Sequence, residues 1–160
     1  MMKNIEYTPL PTQQVRALQQ GEKDIHGNVP EVHVSPGGGL PCRHCLEHIS
    51  VGDKFLILSY KPFETTQPYA EQGPIFLHAD PCMPYETQDK VPSMYGENER
   101  LILRGYGGDE RIIYGTGKVV DVPNIESEAL HMFQDKNVAF IHARSSTNNC
   151  FQFRINRIQI

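Results

Sequence analysis

Two short segments carry the side chains best suited to soft-metal or thiol chemistry. "PCRHCLEH" holds Cys42 and Cys45 with Arg43 and His44 between them, and His48 follows three residues on. "HADPC" places His78 four residues before Cys82. Two intervening residues let both sulfurs of a Cys-x2-Cys pair face one ion from a single turn, and amides of that turn can donate to the thiolates. Cys42, Cys45, His78 and Cys82 together form a mixed sulfur and nitrogen set of the kind zinc accepts in tetrahedral geometry. Four protein ligands would close such a site and make it structural. His48 is an alternative nitrogen ligand, and Cys150 a weaker sulfur candidate. With three ligands the ion would stay open to water, and Glu47 or Glu71 could then act as the base.

The same thiols admit two other readings. Cys42 and Cys45 could cycle as a redox dithiol, with Arg43 and His44 lowering a thiol pKa. Against this, glycines 37–39 precede the pair, and Gly52 ends any following helix within about two turns. A thioredoxin-like site needs a strand before the pair and a long helix after it. Alternatively the cysteines are free and partly buried, since cysteine packs as a small hydrophobe. The residue after Cys45 is Leu46, where metal-binding turns usually carry glycine.

A second constellation is basic and aromatic. Tyr69 and Glu71 fall in the irregular stretch "KPFETTQPYAEQG", Arg104 and Tyr106 in "LRGY", and His142 and Arg144 in "IHAR". In a strand, His142 and Arg144 share a face with Phe140, opposite Ala139, Ile141 and Ala143. A cleft joining Arg104, Arg144 and a histidine would bind a small anionic ligand, which supports a ligand-binding or interaction module as an alternative function. The same arginines would equally suit solvated strand faces or pairs with the chain's many carboxylates. No GxSxG, Walker or GxGxxG motif occurs, so no enzyme class follows from motifs.

Elements must bring these residues together. "NIEYTPL" reads as a short strand, and "PTQQVRALQQGEK" as a helix with Val15 and Leu18 on its buried side and Gly21 at its end. A short strand is expected at 31–34. "KFLILSY" is a strand apolar enough to be buried on both faces, and "PIFLH" is another. If these two pair, the two ligand halves can meet at one sheet edge. "ADPCMPYETQDKVPSMYGENE" is a long, proline-punctuated loop. "RLILRGY" turns at "GGDE" into "RIIYGTGKVVDV", kinked at Gly115–Gly117. A helix follows over 123–134. "NVAFIHARS" and "CFQFRINRIQI" form a closing hairpin, with Phe151, Phe153 and Ile155 on its buried side. The sum is an α+β fold: six or seven strands, mainly antiparallel, with two helices.

Composition bounds the partners. A chain of 160 residues suits one domain. Its 39% hydrophobic and 21% charged residues are ordinary for a globular protein. A net charge of −4 argues against a nucleic-acid partner. No apolar run exceeds Phe55–Leu58 in length, far short of the about 20 residues that span a bilayer. "MMKNIEYTPLP" has no apolar signal region, so a cytoplasmic location with reduced thiols is expected.

"PCRHCL", "PYAEQGPIF", "HADPC" and the closing "HAR…C…R" segment resemble the bacterial domain of unknown function 1203 family. The resemblance runs from about residue 40 to near the C-terminus. It implies a small, single-domain, cytosolic bacterial protein of undefined activity, with residues 1–40 as a helix-bearing lead-in and 41–160 as the family-like core.

Overall fold

The computed structural model describes residues 4–158. Alternating apolar residues build a five-stranded antiparallel sheet from β1 (Ile5–Thr8), β5 (Arg100–Tyr106), β6 (Lys118–Asp121), β7 (Phe140–Ser145) and β8 (Phe151–Arg157). Its strand order is β1-β8-β7-β5-β6. Period-two alternation turns Ile5, Tyr7, Leu101, Leu103, Ile141, Ala143, Phe153 and Ile155 to one face. The helix α2 (Ile125–Met132) covers that face with Ile125, Ala129 and Met132. On the opposite face, strand register sets Arg104 beside His142 and His142 beside Arg154.

A second sheet of order β2-β3-β4 joins β2 (Glu31–Val34), β3 (Lys54–Tyr60) and β4 (Gly73–His78). β3 and β4 do pair, in register from Phe55↔His78 to Tyr60↔Gly73. β3 buries residues on both faces, Phe55 on one and Leu56 and Leu58 on the other. The helix α1 (Thr12–Gln19) ends at Gly21, whose φ of 96° is the left-handed conformation glycine accepts most readily. Its Val15 and Leu18 pack with Leu56, Leu58, Ile75 and Leu77 in a second core. The described residues thus hold two α-helices and eight strands in two antiparallel sheets, an α+β fold in which all eight strand-like segments pair, rather than six or seven.

Three local differences have physical causes. The partner of β5 pairs continuously only over Lys118–Asp121, with an isolated bridge from Tyr106 to Ile112. Between them the chain loops out only at Tyr114 and Gly115, the latter at a φ of 95°, and Thr116 Oγ1 accepts the Gly105 N–H at 2.9 Å on its return. The expected helix opens as a 3-10 turn, Val122–Asn124, before α2. In the closing hairpin, Ala143 pairs with Phe153 but Arg144 pairs with Phe151, so Gln152 is the extra residue of a bulge. The bulge moves Phe151 to the sheet face opposite Phe153 and Ile155, because a one-residue slip reverses side-chain direction. Phe151 therefore joins the second core, and Gln152 is buried with its Oε1 accepting a 2.7 Å bond from the Tyr95 hydroxyl. Among the described residues no helix is long and apolar enough to cross a membrane.

Phe153 is fully buried, with its ring centroid 5.8 Å from Tyr7 and 5.7 Å from Tyr95. Phe153→Ala is expected to lower unfolding stability by about 3–5 kcal/mol in a urea titration.

Candidate metal centre

The Cys42–Cys45 segment folds as a tight turn. The Cys42 N–H donates to the Glu47 carbonyl at 3.0 Å, and the Leu46 N–H returns to the Cys42 carbonyl at 3.0 Å. Leu46 closes the turn with a φ of 55°, the conformation that the usual glycine would adopt freely. That conformation costs a non-glycine residue roughly 1–2 kcal/mol. Leu46 is 1% exposed in the first core, and burying a leucine side chain contributes about 1.5–3 kcal/mol. Burial offsets the strain, so leucine stands where spacing rules expect glycine.

The turn docks on β4. Cys42 forms a parallel bridge with Phe76, the Arg43 N–H donates to the Phe76 carbonyl at 3.1 Å, and the His78 N–H points at Cys42 Sγ at 3.4 Å. β4 ends on His78, and the following loop brings Cys82 back to the same point. Cys42 Sγ lies 3.9 Å from Cys82 Sγ, and Cys45 Sγ lies 3.5 Å from His78 Nδ1. All four donor atoms lie within 4.8 Å of one another, and this group could hold a metal ion. A tetrahedral zinc with ordinary bond lengths would need edges of about 3.8 Å between sulfurs and about 3.5 Å between sulfur and nitrogen. The Cys42–Cys82 and Cys45–His78 separations match those edges. Cys42 is buried, and the other three half-buried residues line a cleft of about 720 Å³.

Electrostatics concentrates negative charge on Cys42. Hydrogen bonds from Cys45 and then Cys82 hold its thiol far below the usual range, outweighing burial. Cys45 is pushed up by the same sharing, first by its bond with Cys42. His78 is raised to about 10, chiefly by its bonds to Cys42 and Cys82. Amides of Cys45 and Glu47 add donors to the sulfurs of Cys42 and Cys45 respectively. Cys42 therefore favours thiolate, the form that ligates metal, while Cys45 and His78 hold protons that a bound cation would displace.

An outer layer orients these four side chains. His44 is fully buried, with Nδ1 3.1 Å from Cys82 Sγ and Nε2 2.9 Å from Thr12 Oγ1. Burial lowers its pKa, so the ring is neutral; Nδ1–H donating to sulfur and Nε2 accepting from the Thr12 hydroxyl satisfies both nitrogens. α1 contributes twice more. Arg16 Nη2 donates to the Cys82 carbonyl at 2.6 Å, and Gln19 Nε2 donates to the His78 and Asp80 carbonyls at 2.9 and 3.1 Å. Sequence reading assigned the N-terminal segment no part in the site. The signal was there in the spacing Thr12, Arg16, Gln19, which places three polar residues on one helical face.

The remaining candidates lie elsewhere. His48 Nε2 faces the Met94 carbonyl at 3.3 Å, away from the sulfurs. Cys150 sits in the β7–β8 turn, its N–H donating to Ser145 Oγ at 2.9 Å. The four cysteines are all free thiols. The two residues between Cys42 and Cys45 make their hydrogen bonds elsewhere. Arg43 is buried with Nε donating to the Phe151 carbonyl at 2.7 Å and Nη1 to the Pro41 carbonyl at 2.6 Å, and His44 meets Cys82 instead. No helix follows the pair; the next element is β3. Glu47 borders the cleft, whereas Glu71 lies on the other sheet, against Arg104 and Arg144. Tyr106 and His142 are buried beside those arginines, but Tyr69 turns outward to the Tyr114 hydroxyl at 3.2 Å.

The sequence model of the family described as "Protein of unknown function (DUF1203)" matches residues 39–157. The chain belongs to that family. The DUF1203 match takes in all four clustered residues, while β1 and α1 precede it. No curated protein and no solved structure matches the chain.

Leu46→Gly and Leu46→Ala are both expected to lose about 2–4 kcal/mol in urea unfolding, with alanine at least as costly as glycine. That order is the reverse of an ordinary strand position, because only glycine removes the backbone strain.

Proposed function

We propose that Cys42, Cys45, His78 and Cys82 bind one zinc ion as a structural site. The convergence of three sulfurs and one imidazole nitrogen within 4.8 Å, with one sulfur–sulfur and one sulfur–nitrogen separation near tetrahedral edge lengths, is the observation that supports this. The ion would neutralise the thiolates and tie the turn to the end of β4. His44 would steady Cys82 through an N–H···S bond, and Arg16 and Gln19 would hold the returning loop by its carbonyls. The reading requires reduced cysteines, which suits a reducing compartment such as the cytoplasm.

Elemental analysis of untagged protein should give close to one equivalent of zinc. The neighbouring cleft gives a chelator access, and chelation should lower the melting temperature. A metal-free preparation that melts at the same temperature would rule the structural role out.

His44→Ala should weaken zinc affinity about 10- to 100-fold in a competition assay while leaving the one-to-one stoichiometry intact.

A further inference from the structure

Three arginines crowd one face of the larger sheet around a histidine. Register sets Arg104 of β5 and Arg154 of β8 on either side of His142 of β7, and Arg144 lies two residues along β7 on the same face. His142 is fully buried, and neither ring nitrogen has a hydrogen-bond partner among the described residues. Rings of Phe63, Tyr106, Phe140 and Phe151 surround it at 5.0, 4.9, 5.0 and 4.8 Å between centroids. Burial, then the nearby Arg154, Arg144 and Arg104, keeps this imidazole neutral.

The arginines differ in how well they are satisfied. Arg154 stacks 3.8 Å over Phe140, and its Nε donates to Asn156 Oδ1 at 2.7 Å. Arg104 and Arg144 share one carboxylate. Glu71 Oε1 is 3.1 Å from Arg104 Nη2, and Oε2 is 3.4 Å from Arg144 Nη2. Both are longer than the about 2.7–2.9 Å of a good charge-assisted bond. Arg104 Nε and Arg144 Nη1 are buried and have no hydrogen-bond partner among the described residues, and the buried Tyr106 hydroxyl, which lies against Arg104, has no acceptor there for its own proton. Buried donors are nearly always satisfied, so three together mark a place built to receive acceptors.

We propose that Arg104, Arg144 and Tyr106 form a binding site for a small oxyanion, carboxylate or phosphate, which Glu71 occupies as a displaceable internal stand-in. The site is held ready. Arg144 Nε donates to Asn149 Oδ1 at 2.8 Å and Nη2 to the Asn149 carbonyl at 2.9 Å, which fixes its guanidinium. Glu71 is the outermost member, with its side chain 37% exposed against 18% for Arg104 and 8% for Arg144. Its loop is anchored elsewhere. The Glu110 carboxylate accepts from the Glu64 N–H and from the Thr65 N–H and hydroxyl, and Gln67 Nε2 donates to the Glu110 carbonyl. Glu71 can therefore swing outward without releasing the loop. Two guanidiniums against one carboxylate leave a net positive charge, which an incoming oxyanion would balance with the planar, two-pronged contacts arginine favours. This site is separate from the cysteine cluster and does not rest on zinc.

The test uses the whole chain and titrates inorganic phosphate, and separately acetate, with sodium chloride holding ionic strength constant. Melting temperature and calorimetry are read on wild type, Glu71→Gln, and Glu71→Gln combined with Arg104→Gln. Glu71→Gln should bind one or both anions at least about tenfold more tightly than wild type, because the internal competitor has lost its charge. The double variant should lose that response. Response to phosphate alone assigns a phosphate ligand, and to acetate alone a carboxylate. No saturable response of Glu71→Gln beyond that to sodium chloride overturns the proposal and leaves a purely structural ion-pair triad. If Glu71→Gln does not fold, the Nε–H resonances of Arg104 and Arg144 in wild type are followed during the phosphate and acetate titrations. Saturable shifts support the site, and their absence overturns it.

Discussion

Cys42 links two parts of the chain through two different chemistries. Its backbone pairs with Phe76 on β4, and its sulfur receives the His78 N–H. The first contact aligns the turn with the strand, and the second points the strand's last residue at the thiols. Once these are made, Cys45 and Cys82 need only short excursions to reach the same point. Pairing of β3 with β4 sustains the arrangement, because it fixes where β4 ends relative to the start of β3. α1 then bonds the loop beyond β4 through Arg16 and Gln19. The cluster is thus held from three directions, which suits a site whose ligands lie in irregular backbone.

Buried cations are the second organising feature, and the fold treats them in two ways. Arg43 is satisfied by the carbonyls of Phe151 and Pro41 and lies over the Phe76 ring. Its role is to join the turn to β8, and with it the two sheets. Arg104 and Arg144 instead share a single, partly exposed carboxylate and leave buried donors over. Burying a charge without full pairing is costly, and such positions are where function concentrates. The contrast between Arg43 and the Arg104–Arg144 pair separates an arginine that holds the fold from the two proposed to receive an oxyanion.

Much of the site was legible because its information is local. Cys-x2-Cys and His-x3-Cys are spacings within one turn, and strands with period-two or near-continuous apolar character declare themselves. What stayed hidden depended on distant contacts. The flip of Phe151 follows from a bulge at Gln152, whose buried amide answers Tyr95 far along the chain. Leu46 adopts the glycine conformation only because a core is present to receive its side chain. Thr12, Arg16 and Gln19 gain meaning only when α1 lies against the loop after β4.

The sequence by itself determined the α+β class, most of the strand positions, and the two short-spaced segments that supply the four clustered side chains, since these follow from residue type and near-neighbour spacing. Tertiary structure alone decided that the two halves of the cluster meet, because 32 residues separate Cys45 from His78 and the β3–β4 register together with the Cys42–Phe76 bridge closes that gap. It also decided that Glu71, a candidate base for an open metal, serves the arginines instead. A carboxylate is drawn to whichever cation the fold brings within reach, and no spacing along the chain encodes that distance.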